Sequence, residues 1–415
     1  MPKDSLFFLP SPCPLCLCVL IFLSSMVYRY IGFMQQGHYE PIQWNFMNYQ
    51  QRLYRLQQVL KESACDALLV EDKTNLYYLT GLELSAGKLL VYAHGAILFV
   101  DNRYLELCRK KSPFPVQLLD QPSLESRLST PELAFIQELA FDSENTSYKN
   151  YEQLGKLAKA IEGKRSDKNV VKVIPLDAPL KGIRLIKDAQ EIELLRKAAD
   201  LGAQGFDFVC SLLREGISEH ELATELEVFW KQRGSKTVAF DPIIAFGENS
   251  SMPHYRAGTT RLQKGQVVLI DIGVNLNHYH SDMTRMAFFG QPDPRIVEIH
   301  AIVAEAQQAA LALCHPGTTL NALDAAAREL IKAKGYGSNF THSLGHGVGL
   351  NIHEYPIIRK SEGVANISLE AGMVITVEPG IYLPGVGGVR IEDTVVITPS
   401  GHENLTKRSI APVLR

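Results

Sequence analysis

Two stretches near the C-terminal end share one pattern of apolar and polar positions. GQVVLIDIGVNLNHYHSDMTRMAFF spans Gly265–Phe289 and GMVITVEPGIYLPGVGGVRIEDTVVI spans Gly372–Ile397. Each opens on a glycine and climbs through an apolar run of the kind that forms a buried strand. Each then sets a carboxylate six residues after its glycine, Asp271 in the first and Glu378 in the second. A turn-rich segment follows, and the returning strand carries a second carboxylate, Asp282 or Glu392. An ionised carboxylate inside an apolar strand is costly unless it is paired or coordinates a metal. Four of them in two matching hairpins call for cations.

The hairpins close a larger repeat. REGISEHELATELEVFWKQRG aligns without a gap on HPGTTLNALDAAARELIKAKG, so that Gly216 matches Gly317 and Gly234 matches Gly335, an offset of 101 in both cases. Each copy has a capping Ser or Thr, an amphipathic helix and a glycine stop. A longer helix precedes each copy, AQEIELLRKAADLGAQGFDFVCSLL in the first and RIVEIHAIVAEAQQAALALC in the second. Residues from about 184 to 397 therefore read as two helix–helix–hairpin halves, which a pseudo-twofold axis would bring together at their carboxylates.

Upstream the pattern is α/β. QRLYRLQQVLKES has helical spacing, and CDALLV, NLYYLTG and KLLVYAHGAILFVDNRY read as strands. Helices are expected around Pro131–Leu139 and Tyr148–Glu162, flanking a short AFD strand. Residues 1–46 differ: Leu15–Tyr28 is an apolar run of 14 residues, short of the roughly 20 that a membrane span needs. With no convincing cleavage site after it, this leader is read as lying outside the functional fold, the globular part beginning at Met47. The division is then 1–46 leader, 47–178 N-terminal domain and 179–415 catalytic domain.

Composition narrows the classes. A net charge of -3 with no basic run gives no footprint for nucleic acid. Seven cysteines are scattered, and the last four (Cys65, Cys108, Cys210, Cys314) have no paired spacing, which suits a reducing compartment. A cytoplasmic protein is expected, or a membrane-anchored or exported one if the leader is genuine.

The chemistry gathers around the carboxylates. HSLGHGVGLNIHEYP, 342–356, supplies three histidines among glycines that let backbone approach a site closely. His346, centred among them, is the candidate fifth ligand beside Asp271, Asp282, Glu378 and Glu392. One imidazole with four carboxylates is a hard, oxygen-rich set sufficient for two divalent ions, with Mn²⁺ favoured, Co²⁺ or Fe²⁺ possible and Zn²⁺ less suited. His342 is a supporting or core residue. His353, and His254 in the loop FGENSSMPHYRAGTT, are candidates for substrate handling.

These motifs resemble those of the metallopeptidases that include Xaa-Pro aminopeptidase (aminopeptidase P), prolidase and methionine aminopeptidase. The likeness runs through IRLIKDAQEIELLRKA, FDPIIAFGENSSMPHY, DIGVNLNHYHSDMTR, HSLGHGVGLNIHEYP, VEPGIY and GGVRIEDTVVI. It implies an α+β fold, a duplicated pita-bread catalytic domain behind a smaller α/β creatinase-type N-terminal domain. It also implies a dinuclear centre on Asp271, Asp282, His346, Glu378 and Glu392. His254 and His353 would contact the scissile carbonyl and the proline end, Arg390 would orient the centre or bind carboxylate, and Glu378 would shuttle a proton beside a metal-bridging hydroxide. The activity implied is hydrolysis of the N-terminal Xaa-Pro bond, with an aminopeptidase preferred to a prolidase on the same site. The substrates would be proline-containing peptides or dipeptides, and the protein a homodimer. A non-enzymatic binding module on this fold is the remote alternative, disfavoured because all five ligands are present.

Overall fold

In the computed structural model the residues described are 48–165, 169–360 and 367–415. The apolar leader and the start at Met47 lie outside them. Among the described residues no helix is long and apolar enough to cross a membrane.

The N-terminal part is a mixed six-stranded sheet with helices. In chain order its elements are α1 (Tyr49–Glu62), β1 (Ala67–Val70), α2 (Lys73–Thr80), β2 (Lys88–Tyr92), β3 (Gly95–Val100), α3 (Leu105–Lys111), β4 (Val116–Leu118), α4 (Gln121–Leu128), β5 (Glu138–Asp142), α5 (Tyr148–Lys164) and β6 (Lys172–Leu176). The strand order is β4-β3-β2-β1-β5-β6. Leu69, Phe99 and Phe141 of the sheet form a core with Leu154, Leu157 and Ile161 of α5.

Two sequence expectations are corrected here. NLYYLTG is not a strand but most of α2. The Asp72 side chain caps it by accepting from Asn75 N, and Gly81 stops it in the left-handed region. Leu76, Tyr77, Tyr78 and Leu79 are all buried, so burial on every side erased the helical period that the sequence would have shown. Pro131–Leu139 is likewise no helix: a single 3-10 turn at Pro131–Leu133 leads into β5, and the helix in this region, α4, lies earlier.

The C-terminal part contains α6 (Lys181–Leu185), α7 (Ala189–Leu212), α8 (Glu219–Lys231), β7 (Thr237–Val238), β8 (Ile243–Phe246), β9 (Gln266–Ile272), β10 (Val274–Leu276), β11 (Tyr279–His280) and β12 (Met283–Phe289). A second set follows: α9 (Pro294–Leu311), α10 (Leu320–Ala333), β13 (Gly345–Gly347), β14 (Glu354–Ile358), β15 (Val374–Val377), β16 (Gly380–Leu383), β17 (Gly387–Arg390), β18 (Asp393–Thr398), β19 (Gly401–Asn404) and β20 (Val413–Leu414). Each half is two helices over one antiparallel-centred sheet, β20-β12-β9-β8 in the first and β14-β13-β15-β18-β19 in the second. The duplication extends to the backbone. Matched glycines Gly216 and Gly317 have φ +83° and +90°, Gly234 and Gly335 have +92° and +91°, and the hairpin openers Gly265 and Gly372 have +87° and +93°. Only a residue without Cβ takes these angles freely, which is why glycine stands at each.

Two apolar cores form. In the first, Phe206, Leu222, Leu226 and Trp230 meet Ile244, Val268 and Ile270; in the second, Val303, Leu323, Ala327 and Ile331 meet Ile375 and Val395. The second also takes in Ile243, Val267, Leu269 and Met286 from the strands of the first half. The sheets touch at an isolated bridge between Thr284 and Glu392. The site lies on that seam.

Candidate metal centre

Strand pairing places the carboxylates. β9 and β12 pair so that Asp271 faces Thr284, and Asp282 lies two residues before Thr284, a diagonal neighbour. β15 and β18 pair as far as Val377 and Asp393, which leaves Glu378 and Glu392 as the next residues on each arm. A smaller ribbon, β10–β11 or β16–β17, extends each hairpin beyond its pair. His346 sits on β13, the neighbour of β15. Gly345 before it has no room for a side chain, since a Cβ there would fall on the Thr376 carbonyl oxygen.

A single cavity of about 290 Å³ is lined by Asp271, Asp282, His346, Glu378, Glu392, His254, His353 and Arg390, with His342 and the apolar Phe240, Ile243, Pro253 and Ile357. Every candidate site residue named from sequence therefore reaches one cavity. Ligand atoms of Asp282, His346 and Glu392 lie within 4.8 Å of one another. His346 Nε2 is 3.6 Å from Asp282 and 3.4 Å from Glu378. Its other nitrogen, Nδ1, is 3.0 Å from the Gly347 carbonyl. A carbonyl only accepts, so Nδ1 carries the proton and Nε2 turns a lone pair toward the carboxylates, the arrangement of a metal-binding imidazole.

The electrostatics of the cluster follow from its burial. Desolvation pushes Glu378 up to about 8, with Arg390 pulling the other way. Asp282 is raised well above the carboxylate range by burial and then by Glu392 and Asp271. Glu392 is raised by burial and then by Glu378 and Asp271. Burial lowers His346 to about 4. A cation among these groups reverses that balance, favouring ionised carboxylates and neutral imidazole. Asp271 adds a direct sign: its Oδ2 accepts from Arg390 while its Oδ1 is buried with no hydrogen-bond partner. A buried orphan oxygen beside a lone-pair-bearing imidazole and three more carboxylates fits a divalent cation.

Four supporting residues were not singled out from the sequence. Thr284 donates to Glu392 Oε2 at 2.7 Å and accepts from Arg390 Nε at 3.2 Å. Thr376 accepts from His346 N at 3.0 Å and donates to Glu378 at 3.3 Å. Each threonine stands two residues from a predicted ligand, hence on the same strand face, and that spacing was the available signal. Tyr382 lies between Arg390 Nη1 at 2.7 Å and His342 Nε2 at 2.8 Å. Because His342 Nδ1 faces the Ser343 carbonyl at 2.8 Å, Nε2 is the acceptor and the chain runs Arg390 to Tyr382 to His342. Glu354, beside His353, accepts from Arg184, from Lys187 at 3.0 Å and from Asn351 N at 3.0 Å. Arg184 in turn donates to Asn75 of α2 at 2.9 Å, which ties the N-terminal part to the segment carrying His353.

Comparison with known proteins supplies the family and the fold. Residues 193–399 match the model of metallopeptidase family M24, and residues 52–186 match the creatinase/prolidase N-terminal domain. A Pyrococcus furiosus protein named Xaa-Pro dipeptidase is 38% identical over 362 residues, covering 86% of this chain and 98% of its own. The chain belongs to metallopeptidase family M24. Among solved structures, the M24 chain is similar to the prolidase of Pyrococcus horikoshii, with TM-score 0.79, 34% identity and coverage of 88% of this chain and 100% of that one. It is also similar to an X-Pro aminopeptidase of Thermotoga maritima, with TM-score 0.77, 32% identity and coverage of 86% and 100%. The fold is the pita-bread catalytic domain behind a creatinase-type domain, and the protein is a metal-dependent peptide hydrolase.

Proposed function

We propose that this M24 protein is an Xaa-Pro dipeptidase (prolidase), with Asp271, Asp282, His346, Glu378 and Glu392 holding two divalent ions, Mn²⁺ by preference. The aminopeptidase favoured by the sequence reading becomes the second choice. The observation that carries the change is the near end-to-end likeness to proteins named Xaa-Pro dipeptidase, 38% identical across 98% of the Pyrococcus furiosus relative.

When bound, the ions would supply Lewis acidity and a water acidic enough to act as nucleophile near neutral pH. The chain's own residues would do the rest. His254 and His353, which both line the cavity, orient the scissile carbonyl and the proline end. Glu378, ionised beside the cations, would take a proton from the attacking water at a carboxyl oxygen and pass it to the prolyl nitrogen as it leaves. Arg390 keeps Asp271 in place, and Thr284 and Thr376 hold Glu392 and Glu378 in their rotamers. The apolar wall of Phe240, Ile243 and Pro253 keeps bulk water off the substrate's side chain.

One observation favours the aminopeptidase reading. Among the described residues Arg390 is the one Lys or Arg lining the cavity, and its nitrogens are committed to Asp271, Tyr382 and Thr284. A free dipeptide carboxylate would then have to be read by histidines. His353 and Ile357 also border a second cavity of about 330 Å³ between the two parts of the chain, where residues beyond proline would fit.

We place the protein in the cytoplasm as a homodimer, on the four buried free cysteines among the described residues and on the family likeness. We keep the division at 178/179, between the end of β6 and the start of α6. The deciding assay is hydrolysis of an Xaa-Pro dipeptide beside an Xaa-Pro-Yaa tripeptide by Mn²⁺-loaded protein. Cleavage of the dipeptide alone is expected, tripeptide cleavage makes it an aminopeptidase, and no cleavage of either overturns both readings.

A further inference from the structure

Among the buried positions at which the two halves differ, one points at His254. Glu219 is the first residue of α8, and its repeat equivalent is Leu320, the first residue of α10. The backbone around them matches bond for bond. Gly216 N donates to Leu262 O and Gly317 N to Leu369 O. Leu262 N donates to Ile217 O and Leu369 N to Thr318 O. Glu219 N donates to Thr260 O and Leu320 N to Ile367 O. Ser218 bridges Arg261 as Thr319 bridges Ser368. Only the side chains part company: Leu320 joins the apolar core, while Glu219, 0% exposed, carries a carboxylate.

Burying a carboxylate costs far more than burying a leucine unless each oxygen is satisfied. The second half shows that this backbone frame is served by leucine, so the frame does not explain the glutamate. Its partners do. Oε1 accepts from Phe246 N at 2.8 Å and Asn249 Nδ2 at 3.0 Å; Oε2 accepts from the Tyr255 hydroxyl at 2.8 Å and Gly258 N at 3.0 Å. These four donors bracket the loop that carries His254, two on each side of it. The first turn of α8, where helix N–H groups point outward, favours the negative charge. Further along the same loop Ser250 accepts from Gly388 N at 2.8 Å, which fastens it to the strand of Arg390.

We propose that Glu219 is a positioning residue that sets the His254 loop against the catalytic cavity. For its kinetic arm this rests on the peptidase reading above. Displacing a substrate-orienting group by about 1 Å can cost on the order of 100-fold in rate. Glu219→Leu, which copies the second half, is therefore expected to fold while kcat/KM falls about 10- to 100-fold. In a His254→Ala background the same change is expected to add nothing, because the group it positions is gone. Glu219→Gln keeps the shape but turns an N–H donor on Gly258 N or Tyr255, and should lose less.

A second readout needs neither metal nor substrate: the imidazole Cε1–H cross-peak of His254 in metal-free protein should shift in both Glu219 variants. Glu219→Gln carries the test alone should the leucine variant not fold. Kinetics within twofold of wild type, losses that multiply in the double variant, or a superimposable cross-peak would each overturn the proposal. If the wild type cuts no Xaa-Pro substrate, the peptidase reading falls while the cross-peak still decides the role of Glu219.

Discussion

Glu354 is the residue whose removal should be felt most clearly in acid stability. Its carboxylate is buried between Lys187, itself 1% exposed, and Arg184. Burial alone pushes the carboxyl upward, but Lys187 and then Arg184 outweigh it and bring it from 4.5 down to about 2. A folded-state value below the unfolded one stabilises the native protein above the unfolded value, and that contribution fades as pH falls toward the folded value. With each pH unit worth about 1.4 kcal/mol, the contribution is about 3 kcal/mol at pH 7, of which about 2 kcal/mol is gone by pH 3. Glu354→Gln removes the titrating group. It also leaves Lys187 buried without a counter-charge, a defect of about 3–5 kcal/mol in buried pairs.

The assay is urea denaturation of metal-free wild type and Glu354→Gln at intervals from pH 7 to pH 3. Comparing the two cancels the titration of the carboxylates they share. The wild type should lead clearly at neutral pH, and the gap should close by about 2 kcal/mol on the way to pH 3. Two curves that run parallel would refute the reasoning, since the salt bridges would then contribute nothing that depends on the charge of Glu354.

Two further outcomes follow from the site. Gly345→Ala should lower both stability, by about 1–3 kcal/mol, and kcat/KM, because the added methyl displaces Thr376 and with it His346 and Glu378; an unchanged melting temperature and rate would contradict the packing described. Asp271→Ala should bind substoichiometric metal after dialysis and hydrolyse no substrate, as measured by elemental analysis and peptide assay, and full loading with full activity would remove Asp271 from the centre.

The repeat and both hairpins were legible because their evidence is local: apolar runs of strand length, glycines at a fixed offset and carboxylates at matched steps. Thr284 and Thr376 were legible in principle, two residues from ligands on the same strand face, but threonine in a strand is common enough to pass unremarked. Tyr382 and Glu219 were not legible. Their roles are set by partners far along the chain, Tyr382 by His342 and Glu219 by Tyr255 and Gly258. Arg390 read as either an orienting group or a carboxylate reader, and its bonds to Asp271, Tyr382 and Thr284 are of the orienting kind. The misread α2 shows the limit from the other side, since a short helix buried all round carries the same apolar run as a central strand.

The seam between the halves also orders events in the making of the protein. Thr284 and Glu392, which meet there, are 108 residues apart in the chain. On the ribosome the first hairpin is therefore complete, with Asp271 and Asp282 in place, long before Glu378 and Glu392 exist. On the proposed ligand set, the four carboxylates come together only once both hairpins have been made, so a chain halted between them would carry half of the set.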